Sequence, residues 1–313
     1  MMGGLLGELG KRLAERWLSL LVLPGALFLA VAAAARVLGH WHPFGLDRLT
    51  GQVTVWAKAP AATTVGGQVV LIAAILLGSA AVGLAAQALG SLLERIVLAA
   101  GWRSLPGPLR RPVALWVGRR QRRWDDAGQR YRSAREAAAR ALAIRRPVDP
   151  GERYAALRAV TRIAPERPDR PGWSGDRLHA VGVRLDRDLH LDLVAVWPAL
   201  WLNLSQETRA EIAASRSAIT GAATLGAWAL LYTPLVWWWW PAAVIVVGVA
   251  TTARHRLRVA VEAYALLVEG ATRLHAGALA RHVGLDHTGV LTAERGAELS
   301  RHFRGHRPED RPS

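Results

Sequence analysis

The chain of 313 residues has no cysteine. This removes disulfides, thiol catalysis, iron–sulfur ligation and cysteine zinc sites together, and it leaves the redox compartment open. Lysine is nearly absent too: of 40 basic residues, only Lys11 and Lys58 are not arginine. With Ala and Gly abundant, that skew matches GC-rich codon usage, so Arg over Lys is not read as selection for bidentate phosphate contacts. Charge is missing from three long stretches, 17–35, 65–93 and 217–253. Proton relays, voltage sensors and ion-coupled transporters place ionisable groups inside their spans, so these classes are disfavoured. The chain also lacks a phosphate-cradling Gly loop, a zinc-protease helix motif and a nucleophile elbow. Gly172-Trp173-Ser174-Gly175-Asp176 is no elbow and has no His partner in register. The reading is therefore non-enzymatic, with no catalytic residue, cofactor or metal.

What the chain does have is segregation. Hydrophobic residues make up 51% and there are 14 Trp, with the apolar residues in blocks and the arginines between them. Residues 1–16 form a cytoplasmic segment carrying Lys11, Arg12 and Arg16, followed by a first span over 17–38. Its 19 uncharged positions reach nearly 30 Å at ~1.5 Å per residue, and Pro24-Gly25 is a candidate kink. A signal peptide ending at Ala33-Ala34-Ala35 is the rival, opposed by Glu8 and Glu15 and by the length of the run. Residues 39–66 read as an external loop with Trp41 and Trp56 at its membrane edges, and 67–93 as the second span.

Residues 217–253 give 37 uncharged positions interrupted by PLVWWWWP. Trp237, Trp238, Trp239 and Trp240 point in several directions in any regular structure, which suits a membrane interface where the ring is apolar and its N–H seeks a polar partner. A hairpin follows: a third span over 217–236, an external Trp turn over 237–241 and a fourth over 242–253, with one long tilted helix as the alternative. The cations at Arg254, Arg256 and Arg258 stop it. Basic residues near the span ends place both termini and the Arg-rich domain in the cytoplasm of a cell membrane. The expected class is thus an all-α, four-span integral membrane protein.

The cytoplasmic domain, 94–216, holds 24 Arg against 14 acidic residues. Pro and Gly break it near 106–112, 147–151 and 165–175, leaving helices over 113–146 and 152–163; Ser205 reads as the N-cap of a helix entering the third span. Arg119, Arg120, Arg122 and Arg123 are the densest basic run and the candidates for anionic lipid headgroups. Nucleic acid is a lesser partner, because no recognition fold or stacking pattern accompanies the charge.

Residues 184–193 alternate with period two. As a strand they put Asp186, Asp188, His190 and Asp192 on one face, which is either a set of metal ligands or the wet side of an edge strand. His40 and His42 are too few for a site, and His275, His282 and His287 read as polar helix positions. Trp197 and Trp201 suit either a helix in the inner interface or a packed core. Ala218, Ala222 and Gly226 form a small-residue stripe. Leu257, Val261, Tyr264, Val268, Ala271, His275 and Ala278 step as a heptad seam in a cytoplasmic helix over 254–284, before a polar tail over 285–313. Both stripes make a homo-oligomer an expectation.

WSGDRLHAV at 173–181, followed by LDLVAVWPALWLNL at 191–204 and a helix into a span, resembles an uncharacterised family of bacterial (actinobacterial-like) multi-pass membrane proteins. The resemblance covers about 35 residues and implies architecture, without an activity or a site. The expected function is a membrane anchor or scaffold whose basic domain docks a cytoplasmic protein or anionic lipid. The alternative is a homo-oligomeric pore lined by small and hydroxyl residues of the second or third span.

Overall fold

The computed structural model describes residues 22–98, 101–104, 106–147, 149–285 and 291–304. Among the described residues every regular element is helical. The chain divides into two units, one from Met1–Leu93 with Thr220–Arg256, the other from Glu94–Ile219 with Leu257–Ser313.

The first unit contains α1 (Leu23–Leu38), α2 (Leu46–Ala57), α3 (Pro60–Thr63), most of α4 (Val65–Leu98), the second half of α9 (Gln206–Tyr232), α10 (Leu235–Trp238) and the start of α11 (Ala242–His282). Two helical segments, Val65–Leu98 and Gln206–Trp238, are long and apolar enough to cross a membrane. The expected first span is shorter among the described residues, 16 residues in α1, and 17–21 lie outside them. Pro24 falls in the first described turn of α1. The expected fourth span is the opening of a 41-residue helix that runs on through Arg254, Arg256 and Arg258.

The expected 39–66 loop is largely helical, as α2 and α3. Between α9 and α11 the helix breaks at 233–241, and a Cβ on Gly226 would lie 3.9 Å from that of Ala253. Residues 27 apart in one straight helix would be about 40 Å apart, so the chain reverses here and the single long helix is excluded.

Burial along α4 is the inverse of a soluble core helix. The small residues Ser79, Gly83, Ala86 and Gly90 are buried, while Val69, Val70, Leu71, Ile72, Ile75, Leu76 and Leu77 are exposed. The small residues serve backbone approach. A Cβ on Gly25 would lie 2.1 Å from the Ser79 carbonyl oxygen, and one on Gly90 would lie 2.9 Å from Thr224 Cα. Ala222 is buried and Gly226 touches Leu93, so this part of the small-residue stripe is consumed inside the chain; Ala218 is exposed. Phe28 closes the unit against Trp228 and, edge-on at 5.1 Å, Tyr232.

The second unit contains α5 (Gly107–Ala143), α6 (Pro150–Ile163), α7 (Trp173–Leu189), α8 (Leu193–Asn203), the first half of α9, the remainder of α11, and α12 (Ala293–Phe303). Helix α5 starts inside the expected break at 106–112: Pro108 falls in its first turn, where a missing N–H is tolerated, and Pro112 is carried inside the helix. Ser205 caps α9, its Oγ accepting from the Thr208 N–H at 3.2 Å. The core joins Val181, Leu185, Leu191, Val196, Leu200, Ile212, Val268, Leu279 and Leu299. The heptad seam of α11 faces this core and the smaller cluster of Ile219 and Val261, so this stripe too is used within one chain.

The period-two stretch is not a strand. Leu185 and Leu189 are four apart, which serves a helix equally well, and α7 carries both until His190 turns into the left-handed region at φ 50°. Asp192 then caps α8, accepting from the Val194 and Ala195 N–H groups. The four polar residues therefore share no face.

Candidate functional site

Helices α5 and α6 form an antiparallel hairpin. The less exposed positions of α5 include Val113, Val117, Arg120, Trp124, Ala127, Tyr131, Ala134, Ala138 and Ala141, a 4-3 repeat, with Gly118, Gln121 and Gly128 beside it. On α6 they are Arg153, Ala156, Val160 and Ile163.

This seam splits the basic run. Arg120 lies on it, its side chain 12% exposed and paired at 2.6 Å with Asp176, which is 2% exposed. Arg120 also donates to the carbonyls of Ile163 and Arg170, so it is a structural cation and not a headgroup ligand. Arg119, Arg122, Arg123 and Arg130 are exposed and have no ion pair among the described residues.

Around Arg120 a proline-rich segment is held by side chains. Pro165, Pro168 and Pro171 have no N–H, and the carbonyls of this stretch find donors elsewhere. Trp124 donates its indole N–H to Ala164 O, Gln121 donates to Pro168 O, Trp102 to Asp169 O and Trp116 to Pro171 O. Asp176 completes the arrangement, its Oδ1 accepting from the Asp169 and Arg170 N–H groups at 2.9 and 2.7 Å. Next to it, buried Arg177 donates to both oxygens of Glu262, at 2.8 and 3.0 Å. Sequence reading missed this node. Its one available signal was the spacing of Trp116 and Trp124, eight residues apart on one face of an otherwise polar helix.

Six charges close a ring beside it. Glu166 pairs with Arg184, Arg184 with Glu269, Glu269 with Arg273, Arg273 with Asp188, Asp188 with Arg187, and Arg187 with Glu166, at 2.7 to 3.5 Å. The hydrogen bond from Arg273 holds the Asp188 carboxyl below its ordinary range. The same bond raises Arg273, and Glu166 raises Arg187. A carboxyl lowered on folding stabilises the fold above its unfolded pKa, and that contribution fades as pH falls through the folded value. Asp188→Asn should therefore lower the denaturation midpoint at pH 7, and the deficit should shrink below about pH 4. A deficit unchanged down to pH 3 would mean the ring carries none of the effect.

Trp197 and Trp201 are half-buried and pack on the core that buries Val196 and Leu200, their rings 5.9 Å apart. Trp197 also lines an apolar cavity of about 340 Å³ with Leu178, Val181, Leu193, Tyr264 and Val268. The Trp turn is divided: Trp237 is 84% exposed and Trp238 and Trp240 are also exposed, while Trp239 donates its N–H to Pro43 O at 2.9 Å. Among the described residues no group of three or more His, Asp or Glu is placed to hold a metal. His282 Nδ1 meets Ala278 O at 2.8 Å, and His287 lies outside the described residues. No family model, curated protein or solved structure matches the chain.

Proposed function

We propose that this protein is a non-enzymatic, multi-pass membrane scaffold whose α5/α6 hairpin docks an anionic surface, either a cytoplasmic protein or lipid headgroups. The observation that carries the membrane half is α4, which buries its small residues and exposes a continuous aliphatic surface. Soluble monomers rarely expose apolar patches beyond a few hundred Å². In this reading α1, α4, α9 and the opening of α11 cross the bilayer, four spans in two hairpins. Both termini and the second unit face the cytoplasm, the side on which Arg95, Arg254, Arg256 and Arg258 collect.

The docking half rests on Arg119, Arg122 and Arg123, exposed cations that no carboxylate among the described residues neutralises. The pore reading would need hydroxyls facing a lumen, whereas Ser79 is buried and Thr224 packs against Gly90 within the unit.

The test uses the full chain reconstituted in neutral nanodiscs and titrated with phosphatidylserine vesicles. Each cation contributes about 1 kcal/mol near an anionic surface, so Arg119→Gln/Arg122→Gln/Arg123→Gln should weaken capture by about two orders of magnitude. The thermal midpoint should stay unchanged. Capture lost only with an acidic protein probe would assign the face to a protein partner; capture unchanged with both would leave it a solvated surface.

A further inference from the structure

Helix α2 has an apolar face that is left largely uncovered by the described residues of its unit. None of its 12 residues is buried. At 100° per residue Leu46, Leu49, Val53 and Trp56 fall on one side, with Asp47, Arg48, Gly51, Thr54 and, just beyond the helix, Lys58 opposite. Val55 alone departs from the pattern. Leu46 is 72% exposed, Val53 51% and Trp56 48%. The hydroxyls of Thr50 and Thr54 donate to the carbonyls of Asp47 and Thr50, at 3.1 and 2.8 Å, so neither requires water.

The start of this helix is tied to the Trp turn. Trp239 donates to Pro43 O at 2.9 Å, and Phe44 meets Trp240 edge-on at 6.1 Å. The two turns flank an open crevice of about 710 Å³ lined by His40, Trp41, Thr233, Pro234, Val236 and Trp237. The aromatic cluster and the uncovered face therefore lie at one end of the unit.

We propose that α2 lies in the plane of the membrane interface, with Leu46, Leu49, Val53 and Trp56 in the acyl boundary beside Trp237 and Trp238. The proposal rests on the membrane reading above. Three observations select lipid as the occupant. Twelve residues reach only about 18 Å, too short to cross a hydrocarbon core of about 30 Å. The face opposite carries both signs of charge, as a surface-lying helix does. The helix also continues directly from a cluster of exposed indoles, the side chains that favour this layer.

Because the chain has no cysteine, each introduced one is its only attachment point. Full-length protein carrying one of Leu46→Cys, Asp47→Cys, Leu49→Cys, Gly51→Cys, Val53→Cys, Thr54→Cys or Trp56→Cys is spin-labelled in phosphatidylcholine vesicles. Its collisions with oxygen and with a water-soluble nickel chelate are compared. Oxygen should dominate at 46, 49, 53 and 56, and nickel at 47, 51 and 54, so that the ratio changes sign with helical period. Nickel dominance throughout overturns the proposal. So does exclusion of both reagents from the apolar face, which would mean that protein covers it. Ile75→Cys on α4 separates the two readings. Oxygen dominance there with a wet α2 removes this inference alone, and nickel dominance there removes both.

Discussion

Asp176→Ala should destabilise the detergent-solubilised protein by about 3–5 kcal/mol, the usual cost of removing one partner from a buried ion pair. Two losses combine. The Arg120 guanidinium keeps its carbonyl acceptors at Ile163 and Arg170 but loses its carboxylate partner. The half-buried Asp169 and Arg170 N–H groups lose their acceptor at the same time, which adds up to about 1 kcal/mol each. Asp176→Asn retains an oxygen for those amides and should fall between the variant and the parent. Chemical denaturation gives the energy, and hydrogen exchange at the amides of 163–172 gives the location. Arg122→Gln, two positions from Arg120 and exposed, should change stability by less than about 0.5 kcal/mol. A loss below 1 kcal/mol for Asp176→Ala would show that the proline segment is held without this pair.

The second large effect is expected at Gly296. A Cβ there would stand 1.8 Å from the Leu189 carbonyl oxygen, an overlap with backbone that no rotamer change relieves. Helix α12 reaches this position through Leu299, which is fully buried, and through Ser300, whose Oγ accepts from the Asp192 N–H at 2.9 Å. Arg304 adds an ion pair with Asp192 at 2.7 Å. Gly296→Val should lift α12 from α7 and α8 and release these contacts together. Overpacking costs about 1–3 kcal/mol where the core can yield and more where backbone is struck. Amides of 293–303 should then exchange faster while those of α5 and α6 keep their protection. Equal protection of α12 in variant and parent would mean that the helix can shift without detaching.

These residues show why some features were legible and others were not. The uncharged stretches, the break at the Trp run, the N-cap at Ser205 and the heptad on α11 are one-dimensional patterns, and each corresponds to an observed helix, break or cap. The period-two stretch misled because Leu185 and Leu189 satisfy a strand and a helix at once; Gly296 and the core behind α7 select the helix. Residues 39–66 read as loop for want of a long apolar run, yet α2 needs only a local periodicity that a short window blurs.

From its sequence alone, the chain determined where charge is absent and where it collects, because burial in hydrocarbon or water is a property of composition along a segment. The tertiary structure decided which of two neighbouring arginines is structural. Arg120 and Arg122 are chemically identical, and they differ only in their phase on α5 relative to a carboxylate 56 residues from the first of them in sequence. It also decided that Ala222 and Gly226 of α9 and the α11 seam are spent inside one chain, since whether a stripe meets its own chain or another depends on where the remaining helices lie.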